Sequence, residues 1–154
     1  FFLAAAASVP VWSRLAQRHG ARRVLLAGMG LAIVTFAFAA TLKAGDAGLF
    51  ALVCVASGAA LGADMTLLPV LFARRMARIA PEAAEGFGLW SFVSKLTLAV
   101  AAAVLLPLLQ MQGFRGSESP AAALHLLAML YALLPCALKL GAMALLAATP
   151  IEEN

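Results

Sequence analysis

A chain of 154 residues that is 64% hydrophobic and only 12% charged, with a mean hydropathy of +0.99, carries more apolar surface than a soluble domain of its size can bury. The bilayer has to be the solvent for most of it, so the sequence reads as an integral membrane protein. The net charge of +4 and the pI near 9.7 then reflect basic loops at the membrane edge rather than a nucleic-acid surface.

A helical span needs about 20 apolar residues. The chain opens directly into "FFLAAAASVPVW", with no initiator Met and no charged leader, so a signal peptide is not supported. Residues 1–12 read as a truncated span of a chain whose N-terminal part is missing. Complete spans are expected at about 24–42, 49–73, 86–110 and 121–148. No segment alternates in polarity as a transmembrane strand would. The expected fold is all-α, a polytopic transmembrane helix bundle of one partial and four complete spans.

The connectors alternate in charge. Residues 13–23 carry Arg14, Arg18, Arg22 and Arg23 without an acid, and 74–85 carry Arg74, Arg75 and Arg78 with Glu82 and Glu85. The connector "KAGDAG" has Lys43 and Asp46, and residues 111–120 have Arg115 and Glu118. Seven basic residues on one side against two on the other is a positive-inside pattern. It places the first and third connectors, and the C-terminal tail "PIEEN", on the cytoplasmic side. Cys54 and Cys136 lie far apart in apolar segments and read as small buried hydrophobes.

Three ionisable side chains fall deep within spans: Asp64, Lys95 and Lys139. Asp64 lies ten residues before Arg74, and Lys95 ten residues after Glu85. At about 1.5 Å per residue both sit roughly 15 Å from the cytoplasmic boundary, half of a ~30 Å hydrocarbon core. They can pair, or both can face one water-filled cavity. A purely structural ion pair is the competing reading, whereas snorkelling reaches only ~6 Å and cannot bring Lys95 to the interface. Lys139 reaches a similar depth and reads either as cavity-lining or as helix packing, with Pro135 one turn earlier able to offer it backbone carbonyls. Intramembrane charges of this kind mark solute or ion pathways by default.

On the same helix Ser91, Lys95 and Leu98 share a face flanked by Trp90 and Ser94. An aromatic ring beside hydroxyls and a cation suits a polyhydroxylated ligand. Alternatively Trp90 anchors at the interface and the serines bond their own i−4 carbonyls. "GAALG", with Gly58 and Gly62, is a small-xxx-small pair that permits close helix approach, and Pro10, Pro69, Pro107 and Pro135 can kink spans. His125 falls near the non-cytoplasmic end of its span and reads as interfacial. No metal-ligand spacing, nucleophile motif or phosphate loop is present, so an enzyme and an ATP-driven pump are both disfavoured.

"PVWSRLAQRHGARRVLLAG" (10–28) resembles the cytoplasmic loop between the eighth and ninth helices of the major facilitator superfamily. More narrowly, it resembles the P-x-W-x-x-L-x-x-R-x-G-x-R pattern of the glycoside–pentoside–hexuronide:cation symporters, the melibiose permease-like family. "GADMTLLPVLFA" (62–73) and "EGFGLWSFVSKLTLAVAAAVL" (85–105) are similar to that family's tenth and eleventh helices, with Glu85, Gly86 and Lys95 on its E-G…K positions. The intervening "ARRMARIAPEAAE" is basic first, where the family usually has an acidic A-D-x-x-D-Y segment.

The resemblance implies the C-terminal portion of a twelve-helix secondary transporter in the bacterial inner (plasma) membrane, working by alternating access. Its solute would be sugar-like, it would need the missing N-terminal half of the same chain, and it would use no cofactor and no nucleic acid. Lys95 would be the central charge, with Asp64, Lys139, Ser91, Ser94 and Trp90 along the pathway. Arg14, Arg18, Arg22, Arg23 and Glu85 would form the cytoplasmic loop and gate. The family's cation-site aspartates lie mainly in the N-terminal half, so Na+ and H+ both stay open as coupling ions. The other class of function that these residues fit is a non-transporting membrane scaffold whose intramembrane charges are structural.

Overall fold

A computed structural model describes residues 1–42, 45–79, 85–111 and 121–148, with the backbone alone at 109 and 121–132. Lys43, Glu82, Arg115, Glu118 and the tail "PIEEN" lie outside the described residues, as does the side chain of His125. The described residues form, in order, the helices α1 Phe2–His19, α2 Ala21–Ala39, α3 Ala47–Ile79, α4 Glu85–Met111 and α5 Ala121–Ala148. Among the described residues there is no strand. Among the described residues three stretches are long and apolar enough to cross a membrane, Ala21–Ala39, Ala47–Ile79 and Glu85–Leu108. The fold is the expected all-α bundle.

The basic stretch 13–23 is helical on both sides of a single break. Leu15, Ala16, Gln17 and Arg18 are good helix formers, so α1 continues past its apolar part. Arg18 and His19 in its last turn oppose the negative end of the helix dipole. Gly20 then stops the helix with φ 86° and ψ 139°, and its N–H donates to Ala16 O at 3.0 Å. Side chains rarely tolerate that backbone conformation, which makes glycine the fitting residue for the corner.

The chain divides into two compact units, each described by itself. The first comprises residues 1–74 and the chain from Leu130 onward, so it holds α1, α2, most of α3 and the described side chains of α5. Its core is a seam between α2 and α3, where Ala21, Val24, Leu25 and Met29 meet Ala63, Leu67 and Leu71. Trp12 and Ala16 of α1 close one flank, and Ala142, Met143 and Leu146 of α5 close another.

Against α1, α3 presents the small pair in "GAALG". Gly58 lies against the Phe1 carbonyl and Ala4, and Gly62 against Ser8 Oγ. A Cβ added at Gly62 would stand 2.6 Å from Ala5 O, nearer than backbone can yield. The close approach lets Trp12 Nε1 donate to Ala59 O across the two helices at 2.8 Å, which gives the indole N–H the acceptor it needs away from water.

The second unit, Arg75–Met129, holds the end of α3, all of α4 and the start of α5. Met76 packs on Gly86 where α4 begins. α4 opens with Glu85, an acid in the first turn that suits the positive end of the helix dipole. Its large apolar side chains, among them Phe92, Leu96, Leu98 and Val104, are exposed.

Two substitutions test these local arguments. Gly62→Leu is expected to separate α1 from α3 and lower the thermal midpoint of the detergent-solubilised protein. Gly20→Val strains the corner by about 1–3 kcal/mol and lowers the same midpoint without touching the α1–α3 seam.

Candidate functional site

The polar groups of the first unit meet between helices. Asp64 projects from the middle of α3 and Lys139 from α5, and Lys139 Nζ donates to Asp64 Oδ2 as an ion pair. The two side chains are 15% and 22% exposed, so the pair is mostly withdrawn from its surroundings. The second carboxylate oxygen, Asp64 Oδ1, is buried and has no hydrogen-bond partner among the described residues. Spacing offered Lys95 as the partner of Asp64, or a cavity shared with it; within this unit the cation that Asp64 holds is Lys139. One turn before Lys139, Cys136 Sγ donates to Ile33 O of α2 at 3.6 Å. Cys136 therefore helps join two helices, beyond the filler role its apolar neighbours suggested.

Arg14, Arg18 and Arg23 are exposed around the Gly20 corner. Arg22 is different: it is half-buried, and its Nη2 donates to Leu146 O at 3.0 Å and to Ala147 O at 2.9 Å. These are last-turn carbonyls of α5, which have no partner within their own helix. α5 has no basic residue in its last turn, so a cation from α2 supplies the favourable charge at its negative end. The sequence carried a signal for this contact: four arginines in one short connector, and a final helix without a basic end.

The residues expected on α4 share one continuous helix in the second unit. Ser91 and Lys95 stand one turn apart, as do Trp90 and Ser94, so the four form two adjacent rows as the spacing required. Lys95, Ser91 and Ser94 are exposed, Trp90 is half-buried, and Glu85 is exposed at the head of the helix. Ser94 Oγ donates to Trp90 O at 2.8 Å and Thr97 Oγ1 to Val93 O at 2.8 Å, the back-bonding that hydroxyls adopt in apolar helices. Among the described residues no group of His, Cys, Asp and Glu is arranged to hold a metal ion.

An unpaired charge within a bilayer is destabilising, and breaking a buried pair from one side costs about 3–5 kcal/mol. Lys139→Met and Asp64→Asn are each expected to reduce the yield of folded protein. The double variant Asp64→Asn/Lys139→Met, which leaves no lone charge, should recover most of it. Size-exclusion profiles of the detergent-solubilised proteins check this, and an equal loss in single and double variants would reject the pairing.

Comparison with known proteins adds a family to this geometry. The family model described as MFS/sugar transport protein matches residues 1–153. No curated protein and no solved structure matches the chain. With helices apolar enough to span a bilayer and charges held within them, the match agrees in substance: the chain belongs to the MFS/sugar transport protein family and is an integral membrane transporter of the major facilitator kind.

Proposed function

We propose that this chain is part of a secondary active transporter that moves a sugar-like solute together with a cation by alternating access. The family match supports transport of the facilitator kind, and the melibiose permease-like resemblance supplies the narrower expectation of symport. The observation that carries the reading is Lys95. It lies about 15 Å along α4 from Glu85, exposed, on a helix otherwise rich in exposed apolar side chains. A cation at that depth is retained where it meets solute, ion or a partner charge. Ser91 and Ser94 offer hydroxyls to a polyhydroxylated ligand, and Trp90 offers a flat apolar face for the carbons of a sugar ring.

In this reading the solute binds near the midplane, between this chain and the other half of the transporter, and the two halves rock about it. The membrane is the bacterial plasma membrane, with the arginine-rich corner and the C-terminus on the cytoplasmic side. Arg14, Arg18 and Arg23 face headgroups or the opposing half there, while Arg22 fastens α5. The alternative, a scaffold with structural charges, draws its support from the Asp64–Lys139 pair, which is what such a protein would use between helices.

The test is solute uptake by the full-length protein in liposomes, with radiolabelled sugars under imposed sodium or proton gradients. Lys95→Ala is expected to lower initial uptake by about tenfold or more, the loss of roughly 1.4 kcal/mol at one polar contact. Unchanged uptake in a correctly inserted variant would remove Lys95 from the pathway. No uptake of any sugar by the wild-type protein would favour the scaffold.

A further inference from the structure

The charge at the Gly20 corner is all of one sign. Residues 13–23 carry four arginines and no lysine, while the three lysines of the chain lie elsewhere. Arg22 is committed to the end of α5. Arg14, Arg18 and Arg23 are exposed, and so is Arg74. Arg74 follows Leu71 by one turn on α3, and Leu71 packs in the same core as Ala21 beside the corner. Among the described residues of the first unit the acids are Asp46, which precedes α3 at its far end, and Asp64, held by Lys139. The negative end of α1 and the positive end of α2 adjoin at Gly20, so the two helix dipoles offset each other there.

The two faces of α1 differ sharply. On one, Ser8 and Trp12 donate to Ala59 O of α3, and Ala16 packs against the α2–α3 core. On the other, Leu3, Ala7, Pro10, Arg14 and Arg18 are all exposed. Turns of 3.6 residues place these five within about 80° of one another, a single stripe opposite the packed face. Val11 and Leu15, also exposed, border it. The stripe is apolar from Leu3 to Val11 and basic at Arg14 and Arg18. From Leu3 to Arg14 it runs about 16 Å, close to the ~15 Å of hydrocarbon in one leaflet.

Two arginines one turn apart repel unless an anion lies between them. A guanidinium offers paired N–H donors that match phosphate oxygens, which a lysine does not. A free phosphate would use the arginines and leave the apolar part of the stripe without an occupant. A phospholipid uses both.

We propose that this stripe seats an anionic phospholipid, its phosphate between Arg14 and Arg18 and an acyl chain along Val11, Pro10, Ala7 and Leu3. Arg23 and Arg74 add a positive field around the headgroup that favours a net negative lipid over a zwitterionic one. The inference needs only that the chain lies in a membrane, and it stands whether or not the solute is a sugar.

The full-length protein is stripped of lipid in detergent and titrated with dioleoyl phosphatidylglycerol or dioleoyl phosphatidylcholine, and bound lipid is counted by native mass spectrometry. Wild type is expected to hold phosphatidylglycerol about tenfold more tightly than phosphatidylcholine. Arg14→Gln/Arg18→Gln should abolish that preference, and Arg23→Gln/Arg74→Gln should weaken it while leaving a clear remainder. All four side chains are exposed, and size-exclusion profiles confirm that the variants are folded. Equal retention of the two lipids by wild type would overturn the proposal, as would an equal loss in the two double variants, which would mean a diffuse field without a seat. Excess glycerophosphate that displaces the lipid would show a bare anion site and refute the acyl contact. Uptake of phosphatidylglycerol only after Glu152→Gln/Glu153→Gln would give the arginines to the chain's own acidic tail instead.

Discussion

A carboxylate carried halfway along an apolar helix requires a cation from elsewhere in the fold, and most of the first unit is organised so that Asp64 gets one. Lys139 must arrive at the right depth and on the right side of α5. That orientation is set by contacts above and below it on the same helix: Cys136 against Ile33 O, then Met143 and Leu146 against the α2–α3 core. Arg22 holds the end of α5 by its last carbonyls. The ion pair supplies the need, and packing supplies the address.

The same economy recurs along the other helices. With no water at hand, a polar side chain bonds either its own helix or a neighbour's backbone. Thr35, Ser57, Thr66, Ser94 and Thr97 take the first course. Trp12, Cys136 and Arg22 take the second, and each of these joins two helices. Carbonyl oxygens accept a second bond while staying in the helical ladder, so cross-links of this kind leave both helices intact. The tight α1–α3 seam through Gly58 and Gly62 brings Trp12 near enough to use one.

Much of this was legible in the sequence. The helical class follows from uninterrupted apolar runs, and the close approach at "GAALG" from its four-residue spacing, because both depend on local periodicity. The positions of Asp64, Lys95 and Lys139 well inside their helices could be counted for the same reason. That Asp64 holds Lys139, where the sequence offered Lys95, could not be read, since spacing along a helix fixes height and leaves the choice of neighbour to packing. The division among Arg14, Arg18, Arg22 and Arg23 was hidden likewise. Four similar residues in one connector differ only in which of them faces α5, and that depends on the turn at Gly20. Trp12 read as one letter of a family pattern; its acceptor on α3 is a tertiary fact.

The separation of Asp64 and Lys139 by 75 residues in the chain has a consequence in time. The ribosome adds about 5–20 residues per second, so the acid enters the translocation machinery roughly 4–15 seconds ahead of its base. During that interval α3 has no partner from α5, and Asp64 is without the cation it holds in the folded chain. The later-made α5 is therefore the helix that completes the electrostatics of α3.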